Sequence, residues 1–355
     1  MTMVTSIAAP AFADAYGIAL YGTHYLDQGN ITVEVRGGQY YVNDVLDDDG
    51  PVIIKNHEDE SDTTSVSNTI TIHAEDGEAN VTLKDVDIVT NGEVNKSGIT
   101  VKADKTKTAT ATVNVTLDNV TVDAREDASS EGATGGAGMT IQGNGVVNIE
   151  LDGKNELLAG DGHAGLEKNR TESVGSLNIN DSNEDGGSLT AIGGDGGAGI
   201  GGGKGDMGSG LYILNGTVNA YGKGGGAGIG GGDGAGAHMV GLNAGVPGVN
   251  DAYEPTVTAV GSEGAAGIGG GKGGRLTDAV LSSGTLTGTM ETLEYLQAHG
   301  AQTIVFTTSQ RTSSFQISDL LALADEGDVF YLTHTEANEP TLLVVTSDHT
   351  DLLEG

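Results

Sequence analysis

Ala198-Gly199-Ile200-Gly201-Gly202-Gly203 recurs word for word at Ala227–Gly232 and again at Ala266–Gly271. Shorter forms precede it: Ser97-Gly98-Ile99, Ala137-Gly138-Met139 and Ala164-Gly165-Leu166. The apolar residue of each copy falls at positions 99, 139, 166, 200, 229 and 268, so the intervals are 40, 27, 34, 29 and 39 residues. A constant motif at uneven intervals suits a repeat of fixed inner geometry whose loops vary in length.

Each interval carries a second pattern. A period-two segment comes first, as in Val113-x-Val115-x-Leu117, Val147-x-Ile149-x-Leu151 and Leu211-x-Ile213. Alternation of this kind marks a strand with one buried face. A polar turn follows (Asp118-Asn119, Asp152-Gly153, Asn215-Gly216), then a short second strand such as Val120-x-Val122 or Val218-x-Ala220, and then the Ala-Gly-Ile strand. Three short strands per interval predict an all-β chain built as a right-handed parallel β-helix, in which one coil cannot bury its apolar face alone and stacks on the next. The competing expectation is a sandwich or barrel of antiparallel hairpins turning at the Asn-Gly and Asp-Gly sites.

Composition narrows the alternatives. Of the 60 glycines in 355 residues, 46 lie within 131–280, yet Pro totals five and glycine triplets break any every-third-residue period, which excludes collagen. The apolar alternation between glycine clusters is absent from flexible linkers. Sixteen Lys+Arg against 50 Asp+Glu give a net charge of −34, which repels nucleic acid and anionic membranes and leaves cations, neutral molecules or protein surfaces as partners. Aromatic residues are absent between Tyr41 and Tyr212, so the core there is aliphatic. Cysteine is absent, which removes disulfides, thiolate metal sites and cysteine nucleophiles. No stretch approaches the ~20 continuous apolar residues of a membrane span, so no membrane insertion is expected.

The chain reads in three parts. Residues 1–15 (MTMVTSIAAPAFADA) end in the small-x-small pattern Ala11-Phe12-Ala13 and read as the remnant of an export signal or a disordered tail, which makes the protein secreted or displayed at a cell surface. Residues 16–290 form the repeat with an N-terminal cap that includes the acidic stretch from Asp44 to Asp62. Residues 291–355 lose the glycine and read as a small α+β C-terminal cap or module: Glu291–His299 and Asp319–Ala324 helical, Thr303–Thr308, Ser314–Ser318, Val329–Thr333 and Leu342–Thr346 as strands. A solenoid needs such a cover because an open end invites aggregation.

Over about residues 80–290, the repeated Gly-Ala-Gly-Ile-Gly-Gly-Gly with intervening Asn215-Gly216-Thr217-Val218-Asn219-Ala220 resembles glycine-rich β-helical surface and secreted proteins of Gram-positive bacteria. These are similar to the pectin-lyase-like superfamily, and some are described as carbohydrate-binding domains. The resemblance implies a parallel β-helix, export and a carbohydrate partner. It does not fix an activity, because one fold hosts many.

Aligning the coils on their apolar residue gives candidate site positions. Five residues before it stand Asp161, Asp195, Gly224 and Glu263; four residues after it stand Arg170, Lys204, Asp233 and Lys272. Asp233, between two lysines and with Asp195 and Glu263 near it, is the candidate catalytic carboxylate of a glycoside hydrolase, glycan transferase or polysaccharide lyase, reactions in which paired carboxylates serve as acid and base or nucleophile. The competing reading is charge alternation among Lys204, Asp233 and Lys272 that relieves repulsion along the stack. Lys204, Lys272 and Arg170 would hold an acidic sugar, although the net charge favours neutral glycans. Tyr212, Tyr221 and Tyr253 are expected to cluster around the longest insertion, Gly234–Pro255, as a sugar-stacking surface, with His163 and His238 beside the corners. Asp161, Asp195 and Asp206 are candidate calcium ligands. The alternative function is a non-catalytic adhesin or stalk, possible calcium included.

Overall fold

A computed structural model describes residues 22–274 except residue 49, 106–109, 126–134, residue 184 and 243–254. Further on it describes 279–281, 285–289, 293–294, 297, 303–307, 312–322, 329–334, 340–345 and 351–352. The proposed export remnant, residues 1–15, lies outside the described residues.

The described chain is nearly all strand, gathered in one sheet of 11 strands (sheet A) and two of 10 (sheets B and C). From Glu78 onward the strands visit A, then C, then B, and repeat that order as far as Ile268–Gly269. Each strand pairs in parallel with the strand one circuit earlier and one circuit later. In sheet A, Thr112–Asp118 lies between Glu78–Lys84 and Val146–Asp152 without a register shift. The repeated motif is the register mark of sheet B: Ile99, Met139, Leu166, Ile200, Ile229 and Ile268 are successive partners. The column also runs back through Ile70 to Ile31, two rungs that carry no glycine motif. These pairings leave no place for hairpins at Asp152-Gly153 or Asn215-Gly216, where the flanking strands belong to sheets A and C.

The alternation in the sequence becomes a core because the three sheets face one another. Val113, Val147, Leu177, Leu211 and Val240 form one buried column of sheet A, and Val115, Ile149, Ile179 and Ile213 another. Each Val, Leu or Ile so buried contributes roughly 1.5–3 kcal/mol, and the sum supplies the cohesion between circuits.

Glycine is demanded at one point of the motif. Gly201, Gly230 and Gly269, each just after the column isoleucine, have φ of 136°, 137° and 141°. A Cβ on Gly201 would sit 2.0 Å from the carbonyl oxygen of Gly230, and one on Gly230 would sit 1.9 Å from that of Gly269. Circuits therefore approach here backbone to backbone.

Both ends of the stack change to antiparallel pairing. At the N-terminal end Ile31–Arg36, Gln39–Val42 and Val45–Asp47 form a meander on the edge of sheet B. Toward the C-terminus Thr303–Thr307 continues sheet A in parallel and then pairs with Thr312–Gln316, while Thr285–Thr289 of sheet C pairs with Val329–His334 and that strand with Pro340–Val345. The expected strands are present, and the helix lies at Ile317–Leu321, two residues earlier than the sequence suggested. Leu293 and Glu294 are helical, and Leu293 is buried in the core. Among the described residues no helix is long and apolar enough to cross a membrane.

Candidate functional site

The expected acidic and basic columns meet at the corner where sheet C turns into sheet B. The backbone N–H of Asp195 donates to Asp161 Oδ1 at 3.1 Å, so these two positions do stack. Asp195 has Lys223 as its strand partner in the next circuit, across a register irregularity, and a Cβ on Gly224 would fall 1.9 Å from Asp195 Oδ1. The glycine that interrupts the acidic column is thus the space into which Asp195 projects. Lys204, Asp233 and Lys272 donate their backbone N–H groups to the carbonyls of Gly162, Gly196 and Gly225, each at 2.8 Å, so every such residue reaches back to the preceding circuit. Their side chains fold over their own circuits: the Lys204 stem lies against Gly196, and the Asp233 carboxylate against Gly225.

This geometry stacks the proposed residues without joining them chemically. Asp195, Glu263, Lys204 and Lys272 are exposed, Asp233 is half-buried, and no ion pair among the described residues links Lys204, Asp233 and Lys272. Glu263 occupies the left-handed region with φ of 52°, at the position where the Ile229 circuit has Gly224 with φ of 54°, and a glycine of positive φ follows in each, Gly264 and Gly225. Asp206 accepts from the Thr171 hydroxyl at 3.0 Å. Among the described residues no group of three or more His, Asp or Glu side chains is placed to hold a metal ion, so Asp161, Asp195 and Asp206 do not converge as a calcium site. Arg170, aligned with Lys204 and Lys272 in the sequence, sits instead opposite Met207 beside the strand Gly208–Ile213, its N–H donating to the Met207 carbonyl at 2.8 Å.

One circuit is built differently. Where the three following circuits read Ile-Gly-Gly-Gly, the chain at 166–169 reads Leu-Glu-Lys-Asn, and all four residues are buried. Glu167 is the strand partner of Gly201 and turns its carboxylate into a ring of donors: Ala164 N–H at 3.0 Å and His163 Nδ1–H at 3.0 Å to Oε2, and Asn169 Nδ2–H at 3.1 Å to Oε1. The other ring nitrogen of His163 meets Asn95 Oδ1 at 3.1 Å, so both nitrogens face acceptors. The hydrogen bond to Glu167 raises the His163 pKa above its ordinary value, against the opposing effect of burial. Asn169 Oδ1 in turn accepts from the Gly203 N–H at 2.9 Å, tying the cluster to the next circuit.

Lys168 has no exposed surface. Its Nζ donates to the carbonyls of Ser209, at 2.6 Å, and Ser173, at 3.3 Å, beside Gly210, and no carboxylate pairs with it among the described residues. Burial lowers its pKa from 10.5 to about 8.

Two of the three tyrosines expected to cluster, Tyr212 and Tyr221, stand on different sheets. Tyr212 stands on sheet A, paired with Asn178 and Gly241, whereas Tyr221 stands on sheet C, paired with Ile192 and Val260. Tyr253 and most of the Gly234–Pro255 insertion lie outside the described residues. His238 lies on sheet A opposite Ser209, next to Ala237, which packs beside Gly230. Alternating strands look alike in sequence, and only the non-local pairing assigns them to a sheet.

Tyr212 instead ends a column on the outer face of sheet A. Asn114 Nδ2 donates to Asn80 Oδ1 at 2.8 Å, Asn148 Nδ2 to Asn114 Oδ1 at 2.7 Å, and Asn178 Nδ2 to Asn148 Oδ1 at 2.8 Å. Tyr212 is the next rung after Asn178, and its hydroxyl pKa is raised by partial burial. At the other end the Tyr40 hydroxyl accepts the Asn80 N–H at 2.8 Å. The spacing of these asparagines at 34, 34 and 30 residues is readable beside the strand pattern, since each follows the first core residue of its segment, Ala79, Val113, Val147 or Leu177. A concavity of about 220 Å³ lined by His24, Tyr25, Gln28 and Asn30 lies at the N-terminal end of the stack rather than at the corner.

Comparisons with protein-family models, with curated proteins and with solved structures returned no match.

Proposed function

We propose that the chain is an exported, surface-displayed right-handed parallel β-helix that binds a neutral polysaccharide along the outer face of sheet A and does not cleave it. The handedness follows from the rule that parallel strands joined by a crossover are right-handed in about 98% of cases. The observation that carries the binding reading is the amide column Asn80–Asn114–Asn148–Asn178 running into Tyr212. The half-buried amides Asn80, Asn114 and Asn178 retain a donor or acceptor beyond the ladder bonds, suited to sugar hydroxyls, while Asn148 is buried between them, and the aromatic ring of Tyr212 offers a face for a pyranose. Rungs about 4.8 Å apart form a flat, periodic surface that matches a periodic ligand better than a single small molecule. The net charge of −34 disfavours polyuronates and leaves neutral glycans.

Cleavage finds less support. Asp195 and Glu263 are exposed, and Asp233 lies along its own circuit, so the acid and base of a glycosidase have no enclosed geometry at the corner. The test is retention of the full chain on a panel of immobilised neutral polysaccharides, with Tyr212→Ala beside it. Retention on at least one glycan, weakened about tenfold in the variant, is the expected result; tenfold corresponds to roughly 1.4 kcal/mol, the scale of one aromatic contact. Absence of retention on every glycan, or an unaffected variant, overturns the reading in favour of a spacer stalk. Release of new reducing ends from a retained glycan overturns its non-catalytic half.

A further inference from the structure

The geometry points to Asn215 as a site of spontaneous backbone modification, in which its side-chain amide is lost through a succinimide. The chain contains three Asn-Gly pairs, at 91–92, 144–145 and 215–216, and the structure commits the glycine nitrogens differently. Gly145 N–H donates to the Ala103 carbonyl at 2.7 Å, and the Gly145 carbonyl accepts from Ser176, so this peptide is fixed between adjacent circuits. Gly216 N–H makes no bond to another circuit among the described residues, although the Gly216 carbonyl accepts from Thr256 at 2.9 Å. The N–H donates instead to Oδ1 of the preceding Asn215 at 2.7 Å, which holds the nitrogen beside the carbonyl carbon it would attack. Reacting groups held at close approach gain much of the rate available from proximity. Gly216 also has φ of 87°, a conformation open to glycine, and carries no side chain to block the attack.

The chemistry needs only water. After loss of its proton to base, the Gly216 nitrogen forms a bond to Asn215 Cγ. The Cγ–Nδ2 bond breaks, and Nδ2 takes up the proton and leaves as ammonia. Water then opens the five-membered imide at either carbonyl, leaving aspartate or isoaspartate; nothing is oxidised or reduced.

The site gives the reaction a structural consequence. Asn215 Nδ2 donates to the Asp181 carbonyl at 2.8 Å, and this contact closes the corner between the strand Gly208–Ile213 of sheet A and Thr217–Lys223 of sheet C. Conversion replaces that donor with a carboxylate oxygen facing a carbonyl oxygen, next to the buried Asp181. The isoaspartate product also inserts a methylene into the backbone at a point where both flanking strands are held in register. The corner is a built-in ageing point of the stack, independent of whether a glycan is bound.

Exposure alone orders the pairs the other way, since Asn144 is exposed and Asn215 is half-buried. The experiment incubates the full chain at mildly alkaline pH and follows both peptides by mass spectrometry, with isoaspartyl methyltransferase labelling to mark the rearranged product. In the folded protein the 215–216 peptide is expected to convert about tenfold faster than 144–145. In urea the two rates are expected to converge, because both are then simple Asn-Gly sequences. Equal rates in the folded protein, or faster conversion at Asn144, overturn the proposal.

Discussion

The circuit through Leu166 and the circuits through Ile200, Ile229 and Ile268 follow the same backbone route and fill it in opposite ways. In the first three of them the residue two after the column apolar residue donates its N–H to the next circuit: Lys168 to Gly201, Gly202 to Gly230, Gly231 to Gly269. In the glycine circuits the adjoining space is taken by backbone, and a Cβ on Gly202 would lie 2.0 Å from the Asp206 carbonyl oxygen. In the Leu166 circuit it is taken by side chains: a glutamate satisfied by three donors on one side, an amine capped by two carbonyls on the other. The same corner is thus closed either by backbone contact or by a polar network, and the second solution leaves a buried cation whose desolvation is only partly offset.

The largest expected effect comes from forcing one solution onto the other. Gly201→Glu copies the Leu166 circuit into its neighbour, but at φ of 136° and with the Cβ 2.0 Å from the Gly230 oxygen it has neither the backbone nor the room of Glu167. A loss of about 3 kcal/mol or more in urea denaturation is expected. A loss under about 1 kcal/mol would mean the circuits are not packed backbone to backbone at this point.

Lys168→Met sharpens the same contrast through pH. The folded pKa of Lys168, about 8, lies below its ordinary 10.5, so the folded chain gives up this proton first as pH rises. Between those values the unfolded state binds more protons, and stability rises with pH. The interval corresponds to about 3 kcal/mol for this group. Methionine keeps most of the apolar stem and removes the charge, so the difference between wild type and variant in urea denaturation is expected to shrink by that order from neutral to alkaline pH. An unchanged difference across that range would show that the amine is not buried as a charge.

Legibility in the sequence followed the same division. The sheet B column from Ile99 to Ile268 was readable because backbone crowding demands glycine at fixed offsets, and that demand leaves a literal repeat. The rungs at Ile31 and Ile70 pair in the same column, yet their neighbours bear side chains and leave no motif. Lys168 was hidden for a related reason: alignment on charge matched Arg170 to Lys204 and Lys272, and a buried cation has no pattern of its own. The stacking of Asp161 with Asp195 was legible from offset counting. The separation of Tyr212 from Tyr221 was not, because the eight residues between them, turning at Asn215-Gly216, look like a hairpin until the partner strands, about 30 residues away, are known.

That ambiguity also supplies the most direct test of the parallel stacking on which the account rests. The chain has no cysteine, so an introduced pair reports without interference. Asn219 is the in-register partner of Thr190 one circuit earlier on sheet C, whereas a hairpin turning at Asn215-Gly216 would set Asn219 opposite Tyr212, which here belongs to sheet A. Neighbouring strands about 4.8 Å apart fall within the Cα separation that a disulfide spans. Under mild oxidation Thr190→Cys with Asn219→Cys is expected to form an intramolecular disulfide, and Tyr212→Cys with Asn219→Cys is expected to stay reduced; the reverse outcome would contradict the stack.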